Sequence, residues 1–411
     1  MERIEERVPD TRYENLQYFL SEARWEHQAV NDQIAQDVDA HLGGHEDTGL
    51  YIDETGIPKK GKSSVGVGRQ YCGQLGKTEN CQVAVFSVLG RDKYASPIDY
   101  RLYLPKSWTD DPERCRKAKV PVEQMAFRTK PELALELVAS ARANGVRFNW
   151  VGCDALYGQN QWFVRQLERS GETFVADVHC DQRIYLEDPK PTVPARTAKR
   201  GRVPRKLKAG SAAVRVDKWV KKQATDIWQR IDVRDSSKGV LQVDAFCRRV
   251  WLWDGAEATA RLWWLVVRRE VNSPNKIKYS LSNAPDDVSL QRLVYMQAQR
   301  YWVERSFQDG KTQCGLGEYQ VRGWYAWHHH MSLVMMAQLF MLEERLLHQE
   351  TCRLLSTADI TILLKNFLPR RDITEEEVLR QLEVRHRKRQ ADIDAARRKQ
   401  DKIPNNGELI I

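Results

Sequence analysis

Three carboxylates occupy positions from which they could share one site. Asp53 ends the apolar run "GLYI", and Asp154 ends "WVGC". A side chain at the end of a strand is held firmly by the sheet, as a metal ligand must be. The third acid, Glu304, lies in "QRYWVERSFQDGK". If this segment is a helix, Arg300, Glu304 and Lys311 share one face, and an acid between two cations suits a metal and phosphate site.

Acids arranged in this way are typical of phosphodiester chemistry with two metal ions. Two Mg²⁺ ions about 3.5–4 Å apart stabilise the attacking and leaving oxygens of an in-line displacement. Because Mg²⁺ prefers oxygen ligands and keeps several waters, three carboxylates are enough. We therefore predict Asp53, Asp154 and Glu304 as catalytic metal ligands, with two Mg²⁺ ions as cofactor and Mn²⁺ as a substitute. Asp53, on the central strand, is expected to bridge both ions.

The two adjacent acids Asp53 and Glu54 also have a plainer interpretation. Asp53 alone could be a turn residue at the end of a strand, but the order and types of the other two acids favour the catalytic interpretation. Neighbours on a strand point to opposite faces. We therefore expect Glu54 to orient a lysine or cap the following loop rather than share the site.

The hydrophobic pattern predicts the elements that must hold these acids. The predicted strands span 49–53, 65–75, 81–90, 148–154 and 173–178, and the predicted helices span 11–42, 130–145, 159–171 and much of 288–348. This order of strands and helices predicts an α/β fold with a mixed sheet. The segment 94–130 is expected to be irregular.

The predicted organisation has five parts. They are a helical N-terminal region (1–46), the first part of the α/β core (47–180), a β-rich insertion with a basic loop (181–286), a helical second part of the core (287–348) and a C-terminal helical region (349–411). The last region contains a long polar helix, in which Thr374 and Glu377 fit a capping box.

The composition suits an intracellular protein with a polyanionic partner. The chain has 411 residues, 42% of them hydrophobic, which is enough for the cores of two or three domains. The formal charge of +9 is compatible with nucleic acid but is weak evidence alone. The eight cysteines form no C-x-x-C pair, which favours reduced thiols in a cytoplasm. Neither a signal peptide nor a membrane span is expected.

The acids and their neighbours resemble those of the DDE transposases of bacterial insertion sequences. The resemblance rests on Asp53 in "YIDETGIPKKG", Asp154 in "GCDALYG" and the pattern R-x3-E-x6-K around Glu304. It covers about residues 47–345, including the order and the wide spacing of the acids. The closest group has a β-rich insertion between the second and third acids and a Tyr-Arg-Glu-Lys signature.

Two features depart from this group. The tyrosine of the signature falls on Gln297, with Tyr295 and Tyr301 as neighbours. Only about 45 residues precede the core, where family members often have more sequence for binding the ends of the element. The first departure puts the role of that tyrosine in doubt, and the second predicts weaker recognition of the ends.

The resemblance implies DNA contacts outside the three acids. The predicted DNA- and phosphate-binding residues are Arg300, Lys311, Lys59, Lys60, Lys62, Arg200, Arg202, Tyr301 and Trp302. The lysines follow Asp53, and the two arginines lie in a basic tract that contains eleven Lys or Arg and one acid. A solvated loop is the alternative for both segments. The two aromatic residues are candidates for stacking on a distorted or flipped base.

The resemblance also implies the fold and the reaction. The fold would be an RNase H-like mixed sheet flanked by helices and interrupted by a β-rich insertion, with helical N- and C-terminal regions. The protein would cleave DNA at the ends of its element, with a hairpin intermediate, and transfer the freed strand into target DNA. Its partners would be the terminal inverted repeats, the target DNA and a second copy of the chain on DNA, in the bacterial cytoplasm at the nucleoid. The alternatives are an inactive or domesticated transposase-derived DNA-binding regulator and a nuclease without strand transfer.

Overall fold

A ten-stranded mixed sheet runs through the computed structural model, which describes residues 2–196, 203–236 and 239–400. The strands are β1 (Gly49–Pro58), β2 (Gly68–Cys72), β3 (Lys77–Arg91), β4 (Tyr94–Leu102), β5 (Trp150–Cys153), β6 (Phe174–Val178), β7 (Arg183–Ile184), β8 (Val214–Arg215), β9 (Gln229–Ser236), β10 (Gly239–Leu252), β11 (Arg261–Glu270) and β12 (Ser273–Ser282).

Helices lie at both ends of the chain and between the strands. They are α1 (Glu2–Glu5), α2 (Tyr13–Ser21), α3 (His27–Leu42), α4 (Lys106–Thr109), α5 (Pro112–Lys117), α6 (Lys130–Ala143), α7 (Ala155–Gly158), α8 (Gln161–Arg169), α9 (Val216–Val220), α10 (Leu290–Gln299), α11 (Tyr301–Gln313), α12 (Trp324–Leu347), α13 (Thr357–Phe367) and α14 (Glu375–Gln400). Within the described residues, no helix is long and apolar enough to cross a membrane.

The sheet is ordered β2-β3-β1-β5-β6-β12-β11-β10-β9, with β4 as a further partner of β3. The β1–β5 and β5–β6 pairs are parallel, whereas β3 and β12 pair antiparallel with β1 and β6. All four residues of β5 are buried, as expected for a parallel strand covered on both faces. The mixed α/β sheet predicted from the sequence is therefore confirmed.

The irregular structure predicted for residues 94–130 is wrong at β4. Pro97 lies within this strand, and a proline in an apolar run argues against a strand. The fold accepts it because β4 pairs with β3 alone and Pro97 lies where the register shifts between Ser87 and Val88. A bulge at a sheet edge is one of the places where the missing N–H of proline costs little.

The strands of the segment 181–286 extend the central sheet. β12 pairs with β6, and β11, β10 and β9 follow outwards as antiparallel neighbours. The strands β7 and β8 form a separate two-stranded sheet. Because β12 continues the sheet at β6, the side chains of β11 and β12 can reach the carboxyl ends of the parallel strands.

Several helices pack on this sheet and fix its edges. The helix α3 packs against α12 and β4, and α6 packs against β3, β4 and α8. Thr129 and Glu132 form a capping box at the start of α6, so that this helix begins as its sequence pattern predicts. Residues 24–360 make one compact unit.

The described residues of the segments 1–23 and 361–411 make a second unit. Within it, Arg380 contacts Glu5 at 3.5 Å and Arg385 contacts Glu6 at 2.6 Å. Only one of the two hydrogen bonds of the capping box predicted for α14 is formed. The Thr374 hydroxyl accepts from the Glu377 N–H at 3.2 Å, while the Glu377 carboxylate is held by Arg380 at 2.8 Å.

Gly158 allows α7 to pass close to β6. A Cβ atom at this position would lie 2.0 Å from the carbonyl oxygen of Asp177. We therefore expect Gly158→Ala to lower the free energy of unfolding by about 2–3 kcal/mol, because the helix or the strand must move. Urea denaturation measures this change. In the control Gly73→Ala, the added Cβ would have no atom of the described residues within 4 Å. This variant should change the free energy of unfolding by less than about 0.5 kcal/mol. Equal losses in the two variants would contradict the close approach.

Candidate functional site

Three aspartates lie side by side where the parallel strands end their pairing. Cys153 of β5 is aligned with Ile52 of β1 on one side and with Ala176 of β6 on the other. The residue that follows each of these three is an aspartate. The row consists of Asp53, Asp154 and Asp177.

Asp53 is not at the end of its strand, which corrects the prediction from the sequence. β1 continues to Pro58, because β3 remains paired with it as far as Cys81. Only the parallel pairing with β5 stops at Ile52. Asp53 therefore lies inside β1 but at the edge of the parallel part of the sheet. Asp154 directly follows β5, and its carboxylate caps α7 by accepting from the Leu156 N–H at 3.0 Å.

Arg300 connects this row with Glu304. Its guanidinium lies 3.2 Å from Asp53 and 3.4 Å from Asp177, and it contacts Glu304 at 2.9 Å. The last contact follows from the helical spacing of the two residues, which are four apart. The structure thus brings together Asp53, Asp154, Arg300 and Glu304, from distant parts of the sequence.

Burial disfavours the charged forms of Asp53 and Asp154. The side chain of Asp53 is only 14% exposed. Burial raises the pKa of Asp53 to about 7, although Arg300 opposes this shift, and the neighbouring Asp154 adds to it. Burial also raises the pKa of Asp154, again against the effect of Arg300. A cation placed between these acids would lower the cost of their charge.

The raised pKa of Asp53 predicts how the stability of the metal-free protein depends on pH. Between pH 3.8 and about 7 the folded chain keeps a proton on Asp53 that the unfolded chain releases. The free energy of unfolding should therefore fall by about 4 kcal/mol as pH rises through this window, and level off above it. In the Asp53→Asn variant, the free energy of unfolding should not show this part of the decrease with pH. Urea denaturation in EDTA at pH 5 and pH 8 measures it, and identical pH dependence in both proteins would contradict the prediction.

Asp177 is a site residue that the sequence analysis missed. The Ser280 hydroxyl donates a hydrogen bond to its carboxylate, and the side-chain amide of Gln297 donates to the Ser280 oxygen. The residue at the position of the signature tyrosine thus supports Asp177 through Ser280. The signal was available, because Asp177 follows the apolar run "TFVA" as Asp154 follows "WVGC".

Two cations from the extended part of the sheet were also missed. Arg268 of β11 and Lys278 of β12 are paired across the two strands. Burial lowers the pKa of Arg268 while Asp177 opposes the shift, and burial and Arg268 together lower the pKa of Lys278. Both side chains therefore lie near the aspartate row. No local pattern could reveal this, because it depends on the pairing of β12 with β6.

The predicted cations near Asp53 differ in their surroundings. Burial lowers the pKa of Lys311 while Cys72 and Asp53 oppose the shift, so this lysine lies within electrostatic range of Asp53. The Lys59 amine donates to the Tyr319 carbonyl oxygen at 3.1 Å and lies 3.3 Å from the centre of its ring. Burial lowers its pKa to about 8. Lys59 thus packs against protein, while Lys60 and Lys62 are exposed.

Lys62 lines a cationic cleft of about 340 Å³. The other charged residues of its lining are Arg114, Lys117 and Arg322, and the lining includes no carboxylate from the described residues. Arg114 is fixed there, since it donates to the Lys62 carbonyl oxygen at 2.9 Å and stacks on the Trp108 ring at 3.9 Å. This cleft is suited to a polyanion.

The other predicted DNA-binding residues have mixed outcomes. Tyr301 is 44% exposed, and the guanidinium of Arg234 lies 4.1 Å from the centre of its ring. Trp302 is half-buried beside it. Arg200 and Arg202 lie outside the described residues.

Glu54 has partners of its own. Its carboxylate accepts from the Lys130 amine at 2.6 Å and from the Tyr157 hydroxyl at 2.9 Å. This is the lysine-orienting role expected from strand alternation. Since Glu54 also helps to raise the pKa of Asp154, it lies closer to the acids than alternation alone indicates.

The acids fit a divalent metal in their chemistry. Carboxylate oxygens are the ligands that Mg²⁺ prefers, and the raised pKa values of Asp53 and Asp154 mark a need for positive charge. In the part of the chain that the structure describes, no three His, Cys, Asp or Glu side chains are already arranged around a metal position. The Arg300 guanidinium supplies the positive charge between Asp53 and Glu304. Holding one ion with all three predicted acids therefore requires Arg300 or Glu304 to move.

Comparisons with known proteins find a curated relative and a solved structure that resemble this chain. The chain is 24% identical over 309 residues to the "Probable transposase for insertion sequence element IS701" of Microchaete diplosiphon, covering 75% of this chain and 68% of the relative. Among solved structures, the NurA nuclease from Sulfolobus solfataricus aligns with 82% of this chain and 97% of its own, at 9% identity and a TM-score of 0.23.

The family model described as "DDE superfamily endonuclease" matches residues 1–240, which include Asp53 and Asp154. This match spans more than half of the 411 residues. It confirms the family predicted from the sequence, and the chain therefore belongs to the DDE superfamily of endonucleases.

Proposed function

We propose that the protein is a DNA transposase that cleaves DNA at the ends of its element and transfers the cut strand into target DNA. The observation that carries the proposal is the contact of Arg300 with both Asp53 and Glu304, beside Asp154. Membership of the DDE superfamily and the similarity to the IS701 transposase support it.

We also propose an RNase H-like core. The strand order β4-β3-β1-β5-β6, antiparallel on one side of β1 and parallel on the other, supports this. The core would consist of residues 47–180 and 287–348, with 181–286 as a β-rich insertion. The helical regions 1–46 and 349–411 would flank it.

Asp53, Asp154 and Glu304 would hold two Mg²⁺ ions, for which Mn²⁺ could substitute. When bound, the metal supplies a Lewis acid that activates water and stabilises charge on the phosphodiester. The protein's part is to keep the acids rigid on β1, β5 and α11. Because burial raises the pKa of Asp53 to about 7, its carboxyl group must also release a proton to become a ligand near neutral pH.

The cations would bind the DNA backbone around the cleaved bond. Arg300 can donate two parallel hydrogen bonds to a phosphate, and Lys311 provides a second charge beside Asp53. Arg268 and Lys278 would extend this contact from the insertion. The cleft lined by Lys62 would hold DNA further from the acids. Tyr301 and Trp302 remain candidates for stacking on an unpaired base, and Lys60, Arg200 and Arg202 for backbone contacts.

Since two element ends must be joined, we propose a homodimer on DNA. A substrate of this kind puts the protein at the nucleoid in the bacterial cytoplasm. A hairpin intermediate at the element end is part of the same proposal.

The test uses purified protein, Mg²⁺, a duplex with the inverted repeats that flank the gene and a target plasmid. We expect cleavage at the end of the element and a joined product, and neither from an Asp53→Ala control. Cleavage without joining would favour a nuclease, and DNA binding without cleavage would favour a regulator. Either result would overturn the transposase proposal.

A further inference from the structure

A second cationic cleft lies on the other side of α11 from the acids. Arg300 and Glu304 share one face of this helix, and at about 100° per residue Trp302, Arg305 and Asp309 lie on the opposite face. These three line a cleft of about 240 Å³ together with residues from β4 and from the segment after α12. Its charged lining consists of Lys93, Arg305, Asp309, Arg345 and Arg353.

The one carboxylate that the described residues contribute to this lining already has partners. Asp309 pairs with Arg305 at 3.2 Å and accepts from the Thr357 hydroxyl at 3.1 Å. Lys93 is exposed and has no carboxylate partner among the described residues. The guanidinium of Arg353, also exposed, makes no hydrogen bond or ion pair within them. The cleft therefore has an excess of positive charge.

Two buried donors in the lining also have no hydrogen-bond acceptor among the residues that the structure describes. They are the indole N–H of Trp302 and the Nε–H of Arg345. Arg345 is fixed over the ring of Tyr94, with 5.0 Å between the guanidinium carbon and the ring centre. A buried donor without an acceptor costs about 1–3 kcal/mol. An acceptor-rich anion would satisfy such donors as well as the exposed cations.

We propose that this cleft binds a phosphate group. Guanidinium groups bind phosphate oxygens through paired, charge-assisted hydrogen bonds, which neutral acceptors do not match. A volume of about 240 Å³ is below the roughly 300–1,000 Å³ typical of sites for drug-sized ligands, so it suits a phosphate with part of a sugar.

The phosphate source that we favour is the backbone of DNA, and this assignment rests on the proposed function. α11 carries Glu304 on its other face, and a helix is only about 10–12 Å across. A strand bound in the cleft would therefore pass close behind the cleavage point. A free phosphate ester has the same chemistry and is separated from DNA by the test.

The test compares Lys93→Ala/Arg353→Ala with the control Arg24→Ala/Lys276→Ala. Both remove two exposed cations, so the net charge is the same. The first arm measures binding of a labelled 30-base-pair duplex in EDTA at several salt concentrations. We expect the cleft variant to bind the duplex about 10-fold more weakly than the control. The slope of the logarithm of the binding constant against the logarithm of salt concentration should also be shallower by about one to two units. If the double variant does not fold, Arg353→Gln alone is tested in its place, and we expect it to weaken duplex binding by a smaller factor.

The second arm measures the thermal stability of each protein in sodium phosphate and in sodium chloride at equal ionic strength. Weaker duplex binding by the cleft variant than by the control assigns the site to DNA. If the two variants differ only in how much phosphate raises their thermal stability, the site binds free phosphate esters. Equal behaviour in both arms would overturn the proposal. Neither arm needs metal or cleavage, so an inactive wild type would contradict the transposase proposal while leaving this one standing.

Discussion

Replacing Asp53 by Asn is expected to slow Mg²⁺-dependent DNA cleavage by about 1,000-fold or more, as for a residue that acts as part of a catalytic unit. The amide keeps the size of the side chain and can still accept from the Glu54 N–H, which lies 2.8 Å from the Asp53 carboxylate. It removes the negative charge that a metal needs. Single-turnover cleavage of an element-end duplex measures the rate.

The matched control for this prediction is Asp177→Asn, which removes a carboxylate from the same row. Asp177 contacts Arg300 but is not among the predicted ligands, so we expect a loss of only about 10-fold. DNA binding by Asp53→Asn should be as tight as that of the wild type, or tighter, because one charge that repels phosphate is gone. Normal cleavage by Asp53→Asn, or an equal loss in both variants, would contradict the role of Asp53.

Replacing Arg300 by Met should destabilise the metal-free protein by about 3 kcal/mol at pH 8, which is above the pKa of about 7 that Asp53 has in the wild type. Two nearly buried carboxylates, Asp53 and Asp177, would lose the guanidinium that lies 3.2 and 3.4 Å from them. Removing one partner of a buried ion pair leaves the other charge uncompensated, which costs more than the pair itself contributes. Urea denaturation in EDTA measures the loss. Mg²⁺ should restore stability to this variant more than to the wild type, because the ion replaces the missing positive charge.

The control for Arg300→Met lies on the same helix. Arg305 is 43% exposed and forms an ion pair with Asp309 at 3.2 Å. Exposed pairs of this kind contribute about 0–1 kcal/mol, so Arg305→Met should cost no more than that. If Arg300→Met unfolds at the same urea concentration as Arg305→Met, the guanidinium does not compensate the acids as described.

The sequence predicts the acids better than it predicts their surroundings. Asp53 and Asp154 could be identified because apolar runs before an acid mark the edge of parallel strands. The same rule would have found Asp177, had it been applied to the run "TFVA". The exact end of β1 could not be predicted, because its last residues are held by β3 alone.

No local sequence pattern predicts which side chains of β11 and β12 reach the acids. Arg268 and Lys278 reach the acids only because β12 pairs with β6, which is a long-range contact. Likewise, helical spacing predicts that Arg300 and Glu304 share a face, but not which residues this face meets. Pro97 shows the opposite case, in which a local signal against a strand is overridden by an edge position and a bulge.

The claim that Asp53 and Glu304 act in one site is tested most directly by a double-mutant cycle. Single-turnover cleavage of the element-end duplex in Mg²⁺ would be measured for the wild type, Asp53→Asn, Glu304→Gln and the double variant. Residues of one catalytic unit are strongly non-additive, so the double variant should be within about 3-fold of the slower single variant. Losses that multiply, or cleavage at the wild-type rate in either single variant, would contradict a shared site.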